Sequence, residues 1–441
     1  MLTIKDAYLA PIYFLLLLLW VIRWKNKYYK NSPLKKYIIP AFVLKSFCCV
    51  LLAFLYEYYY GYSDSLNYFR GVTDIWNAAV QKPAYGFELI FKPFEECSDE
   101  AQAFGETVGN PIFSDNILSM FKISGFIGLF CFGAYIPIAL IITLLSFIGT
   151  WKIFMVFVEE FPAHYKQIAL TCLFAPSFIF WSTNIMKDPL CIFALGLCFS
   201  VLYNLLKGRF KLNMILQVAL AIFLLLNLKA YIFYIFCVAA FCSICIHIIS
   251  KINIKHIVFI RIQIIFMFLI LLIVALIERN NITEILSSNL LSEVKSMQQA
   301  QLEAGGSSYN ISNIEDGSFF GSIRSYLVSL NVALFRPYIW ETPNIIAVAN
   351  ALESLAVMVM SIYLLYKLKF IGFFKIALEN QILTFALVFT LLLAPLAGLV
   401  SFNFGTLVRY KTPVVPFYYT YLVLIYYKIK ERQIGIIKLS K

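Results

Sequence analysis

Residues 212–249 read LNMILQVALAIFLLLNLKAYIFYIFCVAAFCSICIHII and carry a single lysine or carboxylate charge, Lys229. A helix that crosses the hydrocarbon core of a bilayer needs roughly 20 apolar residues. This stretch is long enough for two such helices, 212–228 and 232–249, joined by the minimal turn Leu228-Lys229-Ala230-Tyr231. Working outward, similar apolar runs predict further spans near 7–22, 38–55, 125–149, 167–182, 189–206, 262–277, 344–366, 380–400 and 414–427. The expected fold class is an all-α polytopic membrane protein. It has eleven transmembrane helices in a single integral membrane domain, 1–441.

Composition excludes the competing classes. Of 441 residues, 61% are hydrophobic and 14% charged, where a soluble domain sits near about 25% charged. Soluble enzymes, disordered chains and collagen-like chains fail on these values. The ten cysteines lie mainly inside apolar runs, and only Cys97 falls in a long polar loop, so no disulfide framework is expected. Cys242 and Cys245 form a CxxC inside an apolar run and read as packing. His164, His247 and His256 are isolated, so a histidine-based metal site is not expected; no cofactor is implied, and the need for a divalent metal stays open. The apolar N-terminus lacks a basic leader and a small-residue cleavage site, and reads as a retained helix.

The net charge of +12 does not point to nucleic acid. Basic residues form short clusters between apolar runs, as the positive-inside rule requires. Taking 23–36, 150–166, 207–211, 250–261, 367–379 and 428–441 as cytoplasmic places 22 of the 36 Lys and Arg on that side. The N-terminus is then outside and the C-terminus inside. Two long loops face outward. The first, 56–122, holds the acidic cluster Glu95, Glu96, Asp99 and Glu100 and an apolar patch from Tyr85 to Phe91, which predicts juxtamembrane helices. The second, 278–343, is rich in Gln, Asn, Ser and Gly at its centre and regains aromatic character at Tyr326–Trp340.

Ionisable groups in or beside a span are costly and mark functional candidates. Lys187-Asp188 joins two apolar runs through a short turn after Trp181. Either the pair marks a hairpin with Trp181 as interface anchor, or Lys187 clamps an anion beside a catalytic or orienting Asp188. Arg336, Tyr338, Trp340 and Glu341 cluster before the ninth span. They form either an aromatic belt with snorkelling charges or a phosphate fork with sugar-stacking rings. Arg409 and Lys411 lie between the last two spans, so Lys187, Lys229, Arg336, Arg409 and Lys411 all fall at outer helix ends. Asp64, directly after the second span, is either part of a helix N-cap with Ser63 or a carboxylate that activates a hydroxyl. Lys45 lies within the second span, and Glu353 lies ~14 Å into the ninth. No Walker A, GxGxxG, HExxH or nucleophile-elbow motif occurs, which leaves nucleotide-driven transport and zinc proteolysis without support. A cationic outer pocket with carboxylates and aromatics beside lipid suits a polyprenyl-(pyro)phosphate sugar.

Three stretches carry a family resemblance: Ser63-Asp64 through Gly86-Phe87-Glu88-Leu89, then Pro176 through Lys187-Asp188, then Asn403 through Arg409. In layout the chain resembles the membrane polymerases and glycosyltransferases of bacterial surface-polysaccharide synthesis, the Wzy/EpsG-like O-antigen and capsule polymerases of the wider GT-C-type superfamily. That resemblance implies an inner-membrane enzyme joining undecaprenyl-(pyro)phosphate-linked glycan donor and acceptor at the periplasmic face, amid membrane lipid, with room for a chain-length regulator. It implies phosphate contacts from Lys187, Arg336 and Arg409, supported by Lys229 and Lys411. Trp181, Tyr338 and Trp340 would stack on sugars, and Asp64, Asp188 and Glu341 compete for the base or sugar-orienting role. The spaced Arg…Gly repeat of some members is not found, so polymerase, single-sugar transferase and ligase stay open. A flippase for the same lipid-linked units is the competing expectation.

Overall fold

A computed structural model describes residues 2–61, 63–252, 319–342, 345–401 and 403–439. The expected span 262–277 and most of the loop 278–343 lie outside the described residues. Those described are helical and contain no strand. Seven of their helices are long and apolar enough to cross a membrane: Ile4–Tyr28, Lys35–Tyr60, Tyr135–Glu160, Lys187–Leu206, Asn213–Ser250, Ala347–Ala377 and Gln381–Val400. The chain is an α-helical protein of multi-pass membrane character. Its described residues pack as two compact units, those within 1–159, 178–201 and 210–233 in one and those within 160–177, 202–209 and 234–441 in the other.

In the first unit, helix α1 (Ile4–Tyr28) opens on a reciprocal cap between Thr3 and Asp6. The second carboxylate oxygen of Asp6 accepts from the backbone N–H of Ile136 at 2.7 Å, at the start of another helix. One buried carboxylate thus satisfies free N–H groups at two helix N-termini. Helix α2 (Lys35–Leu55) runs into a π-helical turn, Tyr56–Tyr60, and stops at Gly61 with φ 65°. Ser63 then caps α3 (Asp64–Gln81), its hydroxyl accepting from Leu66 at 3.3 Å. The cap is therefore Ser63. Short helices α4 (Pro83–Phe91) and α5 (Asp99–Gln102) follow.

The expected span 125–149 is in fact divided between two helices. Helix α6 (Asp115–Leu129) ends in a turn where Phe132 and Gly133 take left-handed backbone angles, and α7 (Tyr135–Glu160) begins beyond it. Hydropathy could not show this break, because every residue from Ile127 to Phe132 is apolar or glycine. Gly125 and Gly128 bring α6 close to Ile75 and Val72 of α3, and Gly133 lies against Trp76. The expected span 167–182 is likewise two short helices, α8 (Tyr165–Leu173) and α9 (Pro176–Trp181), interrupted ahead of Pro176. Helix α10 (Lys187–Leu206) fits its expectation. Helix α11 (Asn213–Ile252) is continuous except at Lys229, whose φ −151° and ψ 76° break it where the sequence placed a turn.

The second unit is built on α12 (Phe319–Phe335), α13 (Ile345–Ala377), α14 (Gln381–Val400), α15 (Phe404–Lys411) and α16 (Val415–Leu439). Helix α12 occupies sequence that the charge pattern left in a loop. It packs along α14, with the Tyr326 hydroxyl donating to the Leu391 carbonyl at 2.9 Å and Gly398 set against the Ser329 backbone. Glu160 accepts from Lys207 at 2.8 Å and from Asn380 at 2.6 Å, and Lys428 pairs with Glu379 at 2.9 Å. These contacts bring together segments that the positive-inside pattern assigned to one side.

Within the first unit, α7 and α10 cross where Gly149 faces Gly196, and a Cβ on either would strike the opposite backbone. Gly149→Ala and Gly196→Ala are each expected to lower stability by about 1–3 kcal/mol, the usual cost of overpacking. A thiol-reactive dye reporting exposure of the buried cysteines on heating measures this, and unchanged melting would refute the close crossing.

Candidate functional site

The expected site residues divide between the two units. Asp64, Trp181, Lys187, Asp188 and Lys229 belong to the first, and Arg336, Tyr338, Trp340, Glu341, Arg409 and Lys411 to the second.

In the first unit, the four charged residues assemble around the N-terminus of α10. Lys229, at the break in α11, donates to Asp188 Oδ1 at 2.6 Å, with Asp188 fully buried. Its neighbour Lys187 reaches outward and donates to Asn116 Oδ1 of α6 at 2.8 Å, with its ammonium 5.8 Å from the Tyr68 ring of α3. Among the described residues Lys187 makes no ion pair. The charges of Asp64, Asp188 and Lys229 all act on it through space. The arrangement is a buried ion pair supporting a half-buried ammonium whose direct partners are neutral. An ammonium so placed retains donors for an oxyanion.

A polar hub lies directly below. Asn184 sits in a left-handed conformation, φ 77°, which asparagine adopts more readily than other non-glycine residues. Its side-chain oxygen accepts from Ser65 at 3.2 Å, from the backbone N–H of Ile185 at 2.9 Å and from the Tyr135 hydroxyl. Its amide nitrogen donates to the Cys49 carbonyl at 3.3 Å, and its own N–H donates to Thr143 Oγ1 at 3.2 Å. Asn184 thereby ties α2, α3 and α7 to the turn that presents Lys187-Asp188. Sequence reading passed over it, although a lone Asn between two apolar runs was a usable signal. Asn116 gave no signal, because its role depends on folding a segment 71 positions away onto Lys187.

Trp181 is buried at 4% exposure and meets Phe180 edge-on at 5.1 Å. A sugar-stacking role needs an open ring face, and the structure gives this ring to the interior.

In the second unit Arg336 grips Glu341 through two hydrogen bonds, one from Nε at 3.0 Å and one from Nη2. Glu341 also accepts from the Tyr338 N–H at 3.0 Å. The guanidinium lies 5.5 Å from the Phe404 ring and 6.0 Å from the Tyr338 ring. A carboxylate so occupied is a poor proton acceptor, and the fork facing it is engaged. Lys411 is buried and donates to the Arg336 carbonyl at 3.1 Å and to Ser354 Oγ at 3.2 Å. Arg409 lies half-buried two positions earlier on α15, which Asn403 caps. Glu353 accepts from the Ser177 N–H at 2.7 Å and hydroxyl at 2.6 Å. Trp340 is 80% exposed and stacks on Tyr338 at 5.0 Å, an open aromatic platform.

Among the described residues no three His, Cys, Asp or Glu side chains gather as a metal site. No protein-family model, no curated protein and no solved structure matches the chain.

Two outcomes follow. Lys229→Met strands the buried Asp188 and is expected to cost about 3–5 kcal/mol, while the double variant Lys229→Met/Asp188→Leu recovers part of that loss. Thermal unfolding of both variants checks this, and equal losses would sink the pairing argument. In the second unit, burial pushes the Lys411 ammonium from 10.5 down to about 8, with the Glu353 carboxylate opposing. The folded chain then holds fewer protons than the unfolded chain between those values, so this group makes stability rise with pH across that window. Melting followed from pH 8 to 10.5 should show wild type gaining on Lys411→Met, and parallel curves would contradict it.

Proposed function

We propose that this protein is a membrane glycosyltransferase of the polymerase type, joining undecaprenyl-(pyro)phosphate-linked sugar units at the outer face of the inner membrane. The carrying observation is Lys187, an ammonium at the N-terminus of α10 that bonds to the neutral Asn116, makes no ion pair among the described residues and feels the charge of Asp64 through space. In this reading Lys187 donates to the phosphate oxygens of the donor as its sugar–phosphate C–O bond breaks, stabilising the charge that develops on the leaving phosphate. Asp64 accepts the proton of the acceptor hydroxyl as the new glycosidic bond forms. Asp188 and Lys229 position the turn, since their charges are spent on each other. The Tyr338–Trp340 stack offers a second surface for glycan.

The topological part of the reading keeps eleven crossings, N-terminus out, with α7 in place of the expected 125–149 and the broken pair α8 and α9 together making the crossing at 167–182. It is supported by the break at Lys229 and by the charge contacts around Glu160.

A second reading, a flippase for the same lipid-linked units, is favoured by one observation. Lys45 is buried inside a span-length helix, with Thr150 Oγ1 at 3.2 Å and the Phe178 ring at 5.1 Å as its partners. An ammonium at such a position is a common mark of a transport path.

The decisive assay combines purified chain in nanodiscs with lipid-linked donor and acceptor, and reads glycan length. Asp64→Asn and Lys187→Met are each expected to reduce elongation by about 10²–10⁴-fold, with Lys187→Arg retaining part. Wild-type rates in both variants would reject the enzyme reading. Translocation of labelled lipid-linked units in vesicles without elongation, abolished by Lys45→Met, would install the transporter in its place.

A further inference from the structure

Four phenylalanines form a continuous exposed ridge on the first unit. Phe87 stacks on Phe91 with centroids 6.2 Å apart, Phe91 meets Phe126 at 6.3 Å, and Phe126 meets Phe130 at 5.4 Å. Their exposures run from 42% to 68%. A run of bare aromatic rings of this extent demands a covering partner. The ridge belongs to α4, the C-terminal half of α6 and its capping residue Phe130, and these helices of 9 and 15 residues are too short to span a bilayer. Their other faces are taken, with Gly86 against Ala79 and Gly125 and Gly128 against Ile75 and Val72 of α3. Each helix therefore has one protein-facing side and one bare aromatic side.

Depth comes from contacts with α1, a span-length helix. The Ile136 N–H bonds to Asp6, so α7 begins level with the first turn of α1. The Phe130 carbonyl instead accepts from the Tyr13 hydroxyl, seven residues further on. Tyr13 lies about 10 Å beyond Asp6 at 1.5 Å per residue, and its side chain leans back toward the helix N-terminus, so the end of α6 sits deeper along α1 than the start of α7 by at most that distance. The ridge thus ends beside the part of α1 that is built to lie in hydrocarbon.

Charge completes the picture. Lys92, exposed at the end of α4, pairs with Glu88 at 3.5 Å, and Lys122 of α6 donates to the Lys92 carbonyl at 2.9 Å. Two ammonium groups therefore flank the ridge, the sign that lipid phosphates attract.

We propose that α4 and the C-terminal half of α6 are non-spanning helices seated in the leaflet on the side of the α1 N-terminus. The four rings lie among acyl chains, and Lys92 and Lys122 meet lipid phosphates. This stands apart from the enzyme reading and survives its failure. The test places single cysteines at Phe91 or Phe126, with Glu95→Cys as an exposed control in the same loop. The full chain is held in phosphatidylglycerol-containing nanodiscs, and labelling of native cysteines in wild type is subtracted. A charged, water-soluble maleimide should label E95C at least about tenfold faster than F91C or F126C, and a maleimide carried on an acyl chain should reverse the order. Equal labelling by the charged reagent would place the ridge in water and overturn the proposal. Protection of F91C and F126C from both reagents would mean that protein, such as a second copy, covers the ridge, and would overturn it equally.

Discussion

The ion pair between Asp188 and Lys229 is the constraint on which the first unit turns. Asp188 is fully buried, and desolvating a carboxylate costs several kcal/mol unless a cation and hydrogen bonds compensate. The compensation comes from a residue 41 positions away, which stands at the break in α11. Pair and break fall at one residue. Given the pair, the N-terminus of α10 is anchored and Lys187, one residue earlier, is turned toward Asn116 and Tyr68.

The same logic extends down α7. Tyr135, Thr143, Ser146 and Thr150 recur at helical spacing on one buried face. Asn184 bonds to Tyr135 and Thr143, and Lys45 bonds to Thr150. In an apolar medium a polar group finds its partner within the chain or goes without. These bonds therefore specify which helix faces meet, where apolar packing alone would accept several rotations. Gly149 and Gly196 set the distance of approach and the polar face sets the orientation.

In the second unit, charges that looked available along the sequence are largely committed to structure. Arg336 and Glu341 hold each other and the turn between them, and Lys411 is spent on the Arg336 carbonyl and Ser354. The aromatic pair of Tyr338 and Trp340 remains open because the Arg336–Glu341 grip orders the residues that carry it. Glu353 accepts from Ser177, a partner no spacing rule could have named.

Much was legible in the chain itself. Long apolar runs determine membrane character, because a helix must satisfy its own backbone there, and most helices fall where those runs lie. The break at Lys229 falls where local chemistry placed a turn, and the start of α3 falls at Ser63-Asp64 as its capping chemistry suggested. Helix breaks at Phe130–Ala134 and ahead of Pro176 were obscured, since hydropathy averages over turns built from apolar residues. Partnership was decided only in three dimensions: that Lys187 meets an asparagine and not a carboxylate, that Trp181 is interior, that Asn184 is a hub. Local sequence sets what each segment can be. Which side chains come within hydrogen-bonding distance depends on helix crossings, and those are set by contacts between residues tens to hundreds of positions apart.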